Sequence, residues 1–256
     1  MQQPNWIGLY TFIRREVTRF LRVSVQTLLS PWISATLFIF IFGEIVGSQI
    51  GMIGGMPYIE FVLPGILMMN VLTSAFSHAS SSLYFQRFAR HIEEILVAPL
   101  SHLEMIVGYL AGAILRGVMI GVGILVIGLL FGAATMHSVP LFLLYIVAVS
   151  AVFALIGLLV GLWANGFEQL ASLTTFVITP LSFFGGMFNT LDMLPPVLES
   201  ATRWNPFFYF IDGMRYSMTG FHETSLGVGI GIITVLFLVL LVATTTLFAR
   251  GWRLRV

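Results

Sequence analysis

The chain alternates long apolar stretches with short polar ones, and the length of each stretch limits what it can be. Apolar runs at 28–46, 59–80, 105–131, 139–163 and 226–249 match the ~20 residues that carry a helix across ~30 Å of hydrocarbon. A further run, 171–188, is shorter and contains Thr174, Thr175, Thr179, Pro180, Ser182 and the pair Gly185–Gly186. It either crosses at the lower limit of span length or breaks at Pro180 or at the glycines. Residues 191–220 mix Pro195–Pro196 and charges with apolar clusters at 207–211 and 214–218, a pattern that predicts short re-entrant helices shielded by protein. Ahead of the first span, residues 5–23 repeat Trp6, Leu9/Tyr10, Ile13, Val17 and Phe20 at spacings of three and four, with Arg14, Arg15, Arg19 and Arg22 on another face. An apolar stripe beside a basic face describes a helix lying in the membrane interface. The expected fold is therefore an all-α membrane protein: six transmembrane helices, an N-terminal amphipathic interfacial helix and re-entrant helices between spans five and six.

Composition agrees. Of 256 residues, 58% are hydrophobic and 9% charged, and mean hydropathy is +0.98. A soluble domain carries about 25% charged residues, so this chain cannot cover a water-facing surface and takes lipid as its solvent. There is no cysteine, which removes disulfides, thiolate metal sites and cysteine nucleophiles, and no metal site is expected. Every one of the 12 basic residues is arginine. That bias suits phosphate or lipid headgroups, and it equally suits a biased genome. No cleavable signal peptide is read in the first 23 residues, which lack an uninterrupted apolar core. The net charge of +1 points to no nucleic-acid partner.

The arginines orient the chain. With the N-terminus inside, Arg14, Arg15, Arg19, Arg22, Arg87, Arg90, Arg250, Arg253 and Arg255 all fall on the cytoplasmic side; Arg203 and Arg215 lie outside. The asymmetry predicts both termini in the cytoplasm and an even number of crossings, which requires 171–188 to be one of them.

Polar residues near the spans have two readings each. Arg116, inside a span, either pairs with an acid such as Glu104 or Glu44 or contacts a substrate phosphate. Glu44, near a span end, reaches the headgroups or belongs to the pathway. His78, among Ser74, Ser77, Ser80, Ser81 and Ser82, suggests either a proton relay or close helix packing through small residues. Asp212 and Arg215, three apart, are expected to pair with each other.

The most charged stretch in the middle of the chain, 84–98, carries Phe85, Phe88, Ile92, Ile95 and Leu96 at helical spacing and is stopped by Pro99. It predicts one short amphipathic helix at the cytoplasmic surface, with Arg87 and Arg90 in reach of Glu93 and Glu94. The run Glu93 to Ser101, followed by Gly108 and Arg116–Gly117, resembles the first cytoplasmic region of ABC-2 type permeases. Pro180, Phe183 to Phe188, Leu194–Pro195, Asn205–Pro206, Tyr209, Asp212, Gly213 and Arg215 resemble that family's C-terminal signature. The two blocks occur in order and cover nearly the whole chain. Closest in character are exporters of antibiotics, nodulation lipo-oligosaccharides and capsular or O-antigen polysaccharides.

The resemblance implies a homodimer of permeases bound below by two copies of a separate ABC ATPase, which carries ATP and magnesium. Phe85, Arg87, Phe88, Arg90, Glu93 and Glu94 would then form the coupling helix. No Gly-x-x-x-x-Gly-Lys-Ser/Thr loop can exist in a chain without lysine, so this chain is not itself expected to be an enzyme. Its aromatic and Met-rich spans suit a hydrophobic, lipid-linked or drug-like cargo moving outward. A secondary transporter or channel is the alternative that Arg116 and Glu44 permit. An intramembrane serine protease is disfavoured because no nucleophile turn is present.

Overall fold

A computed structural model describes residues 5–254; Arg255, counted above with the inner arginines, lies outside the described residues. The chain runs through α1 (Trp6–Leu21), α2 (Val25–Ile50), a hairpin of β1 (Met52–Ile53) and β2 (Met56–Pro57), and α3 (Tyr58–Phe88). It continues through α4 (Ile92–Val97), α5 (His102–Leu130) and α6 (Val139–Trp163). The last part holds α7 (167–183), α8 (Pro196–Trp204), α9 (Pro206–Thr219) and α10 (Leu226–Ala249). Five helices, α2, α3, α5, α6 and α10, are long and apolar enough to cross a membrane. The protein is an all-α membrane protein.

Helix α3 is the axis. It packs against α5, α6 and α9 and buries residues along nearly its whole length, from Tyr58 to Gln86. Pro64 lies inside it without ending it. Without a hydrophobic force to press helices together in lipid, close backbone approach supplies the packing. The α3–α6 seam shows this directly. A Cβ on Gly157 would stand 2.6 Å from the Phe76 carbonyl oxygen, and one on Gly161 would stand 2.9 Å from that of Ser80. Only glycine lets these two backbones meet.

Helices α2 and α10 are the outer elements, each with most of its apolar surface exposed. Helix α2 contains two wide turns in which the hydrogen bonds skip to the fifth residue, Val25–Leu29 and Ile41–Val46. Helix α7 contains one, Thr174–Ile178. Two of the three lie just ahead of a proline, Pro31 and Pro180, whose missing N–H and bulky ring cannot fit the regular ladder. In α7 the Thr179 hydroxyl donates to the Thr174 carbonyl at 3.0 Å, closing the opened turn.

Two features differ from the sequence reading. The stretch 84–98 is not one helix: α3 runs on to Phe88, Arg90 turns the chain with φ 59°, and the separate α4 begins at Ile92. Helix α7 starts earlier and ends earlier than 171–188. Its pieces of seven, five and five residues make a rod of about 26 Å, shorter than the five long helices.

Gly157→Leu should place a branched side chain against the α3 backbone, a clash that no rotamer relieves. Overpacking costs about 1–3 kcal/mol where neighbours can shift, and more where the neighbour is backbone. The expected result is loss of the monodisperse peak on size exclusion in detergent, with Gly227→Leu, which meets open space, retaining it.

Candidate functional site

Two polar clusters stand at opposite ends of α3. The first joins α1, α3 and α5. Glu16 of α1 is fully buried. A buried carboxylate is costly unless each lone pair is used, and here they are. One oxygen accepts from the Gln86 amide at 3.0 Å and faces Arg15 at 3.5 Å. The other accepts from Ser82 at 2.6 Å and Arg19 at 3.2 Å, with His78 Nε2 at 3.6 Å. The Tyr109 hydroxyl of α5 donates to the Gln86 carbonyl oxygen, extending the network to a third helix. Gly112 makes room for it, since a Cβ there would stand 2.8 Å from His78 Nε2.

Sequence reasoning missed Glu16. The expected apolar stripe leaves Trp6 and Tyr10 exposed at 71% and 66%, while the buried row is Phe12, Glu16 and Phe20. The signal was there: the only acid in the first 23 residues sits midway between two phenylalanines at i ± 4.

Beside this cluster, the turn from α3 to α4 presents Phe85, Phe88, Arg90, Glu93 and Glu94 exposed. Arg87 does not join them. Its guanidinium donates to the carbonyls of Gly161 at 2.7 Å and Ala164 at 3.4 Å, and to that of Arg253 at 2.7 Å. It therefore fastens the ends of α3 and α6 to the segment after α10. The expected pairs of Arg87 and Arg90 with Glu93 and Glu94 do not form among the described residues, because the left-handed turn at Arg90 swings α4 away from the α3 axis. A groove of about 600 Å³ runs between α4 and α1, lined by Arg14, Arg15, Arg19 and Arg22 on one side and by His91 and Glu94 on the other. Glu104 accepts the backbone N–H groups of Ser101 and Asn5 at 2.7 Å each, capping α5 and tethering the start of α1.

The second cluster closes the far end. Asp212 and Arg215 do not pair with each other. Asp212 accepts the N–H groups of Glu223 at 2.9 Å and Thr224 at 3.0 Å, with the Thr224 hydroxyl at 2.8 Å. Arg215, fully buried, donates to the carbonyls of Phe61 at 3.1 Å and Gly186, and lies over the Phe61 ring at 3.8 Å. Its carboxylate neighbour is Glu223, at 3.6 Å. Glu223 in turn accepts the N–H of Leu191 at 2.6 Å, and burial raises its pKa. The pairing expected at spacing three is replaced by one across the 220–225 loop, to Glu223, a residue that no local pattern singles out.

Glu44 and Arg116 are apart. Glu44 is exposed beside Phe131 and Gly132 at the end of α5, about 22 Å along that helix from Arg116. Glu104 lies about 18 Å the other way and is occupied by Ser101 and Asn5. Neither acid expected to pair with Arg116 does so, and no protein acceptor reaches its buried Nε.

Comparison with known proteins adds the lineage. The model of the ABC-2 type transporter family matches residues 8–219. An inner membrane transport permease, YadH, of Escherichia coli K12 is 37% identical over 255 residues, covering 100% of both chains. Nodulation protein J of Rhizobium meliloti is 27% identical over 247 residues, covering 96% of this chain and 93% of that one.

Glu16→Ala should leave the Ser82 hydroxyl buried without an acceptor and the Gln86 amide with only Ser82 Oγ at 3.2 Å, while Arg15 and Arg19, about a third exposed or more, turn toward water. The stranded hydroxyl and the weakened amide set the loss at about 1–3 kcal/mol. Glu16→Gln, which still accepts, should lose less; melting in detergent orders the three proteins.

Proposed function

As the chain belongs to the ABC-2 type transporter family, we propose that it is the permease subunit of an ATP-driven exporter in a bacterial inner membrane. As a member of that family it is the membrane subunit of an ABC transporter and works, as the family generally does, with an ABC ATPase. ATP and magnesium sit on that separate polypeptide, two copies of which serve a homodimer of this chain. The exposed surfaces of α2 and α10 are apolar enough for either lipid or a second copy.

The observation that carries the coupling assignment is the tip formed by the end of α3 and α4. It exposes Phe85, Phe88 and Val97 beside Glu93 and Glu94, at the end of the helix on which the whole bundle packs. An exposed apolar and acidic tip on the central helix suits a partner that pushes or pulls. Arg87 supports the tip from within rather than contacting the partner, since its donors are committed to carbonyls of this chain. With this tip in the cytoplasm, α1 lies along the inner interface and both termini face inward, in keeping with the arginine bias. Helix α7 is then the sixth crossing, completed by the capped turn after Phe183, while α8 and α9 dip back from outside. Their broken backbone is served by protein: Asn205 accepts the Phe207 N–H and donates to the Leu181 carbonyl. The apolar, aromatic spans favour a hydrophobic, lipid-linked or drug-like cargo.

Purification from the native host in mild detergent should recover a roughly stoichiometric P-loop ATPase. Replacing Phe88, Glu93 and Glu94 together by Ala should release it while the permease stays monodisperse. A chain recovered alone, with transport indifferent to ATP, would overturn the reading in favour of a secondary transporter.

A further inference from the structure

Three buried nitrogens at one junction have no hydrogen-bond partner among the described residues: Arg19 Nε, Arg116 Nε and His78 Nε2, the last 3.6 Å from the Glu16 carboxylate. Their placement is linked. Arg19 follows Glu16 by one turn of α1, and its Nη2 donates to the His78 carbonyl at 3.4 Å. His78 Nε2 stands against Gly112 of α5, and Arg116 is one turn further along the same face. Two turns beyond Arg116, Gly123 meets the Trp32 indole of α2. Arg116 thus lies on the stretch of α5 between the Glu16 cluster and α2, level with the elbow at 22–25 where α1 passes into α2.

The charges at this elbow do not balance. Arg15, Arg19, Arg22 and Arg116 bring four guanidinium groups, and among the described residues here Glu16 is the single acid; its oxygens are already filled by Ser82, Gln86, Arg19 and Arg15. A largely buried guanidinium beside another of like charge is costly in a membrane unless an anion joins them. Among the described residues no other acid supplies one: Glu44, on α2, stands beside Phe131 at the far end of α5, and Glu104 is 12 residues from Arg116.

We propose that the inside of the α1–α2 elbow is an anion site that holds a phosphate group between Arg19 and Arg116. Two planar forks converging on a tetrahedral oxyanion give paired, charge-assisted hydrogen bonds that a single ammonium could not. Arg19 also lines the groove with Arg14, Arg15 and Arg22, so a phosphate reaches the elbow along its basic α1 side. The site lies where α1 passes into the first span, beside the midpoint of α5, and α1 presents exposed Trp6, Ile7 and Tyr10 to acyl chains. The phosphate comes either from an anionic phospholipid or from free phosphate in solution. Only the choice of leaflet rests on the orientation proposed above.

Native mass spectrometry of the purified chain, with phosphatidylglycerol, phosphatidylcholine or inorganic phosphate added, tests this without an ATPase, so its failure leaves the transporter reading untouched. Wild type and the distant control Arg203→Gln should retain phosphatidylglycerol in preference to phosphatidylcholine, and Arg116→Gln should bind it roughly tenfold more weakly. Arg116→Lys, which keeps charge but loses the fork, should fall between them. If millimolar inorganic phosphate displaces the lipid from wild type, the site is real and its source is free phosphate; if not, its source is the membrane. Should Arg116→Gln fail to stay monodisperse, Arg116→Lys and Arg19→Gln make the same comparison. Retention of phosphatidylglycerol by the Arg116 and Arg19 variants at the wild-type level, or no preference over phosphatidylcholine in wild type, overturns the proposal.

Discussion

Hydrocarbon offers a backbone no hydrogen-bond partner, and this structure is organised around every place where a helix must nevertheless stop or bend. Several such places have a side chain assigned to them. Arg87 serves the carbonyls at the end of α6 and after α10. Arg215 serves Phe61 and Gly186, Asp212 serves the turn at Glu223 and Thr224, and Asn205 serves the break between α8 and α9. Residues that would read as pathway charges are largely backbone partners. The cost of an unmet group in lipid, several kcal/mol, exceeds what most side-chain pairs return, so the backbone takes precedence.

That ordering explains what the sequence revealed and what it hid. The long spans were legible because hydropathy over twenty residues averages away local detail, and family membership was legible because its two blocks occur in order along the chain. Asp212 and Arg215 misled for the opposite reason. At spacing three they invite pairing, yet Arg215 finds its carbonyl at Phe61, separated by 154 positions, and no local pattern encodes that. The α3–α4 turn was hidden because an arginine at φ 59° leaves no sign of the kind glycine gives. Arg87 looked like a surface charge since its partners are carbonyls, which any sequence supplies.

Glu16 was hidden differently. A carboxylate among arginines reads as part of a solvated face, and only its register with Phe12 and Phe20 argues otherwise. Its burial makes α1 part of the bundle rather than a helix resting on lipid. The α1–α3–α5 junction is consequently specified by directional bonds, in a molecule whose other helix contacts are mostly shape and close approach. Such a junction holds one arrangement firmly and resists slipping by small steps, which greasy surfaces permit.

Helix α3 joins the two ends of the molecule mechanically. Its 31 residues make an unbroken rod of about 46 Å, longer than the hydrocarbon is thick. Near one tip are Ser82 and Gln86, bound to Glu16; near the other is the Phe61 carbonyl, held by Arg215. A tilt of about 5° about one tip carries the other through about 4 Å, more than the length of a hydrogen bond. The rod therefore works as a lever: a rotation too slight to disturb packing at the pivot is enough to unlatch the opposite end.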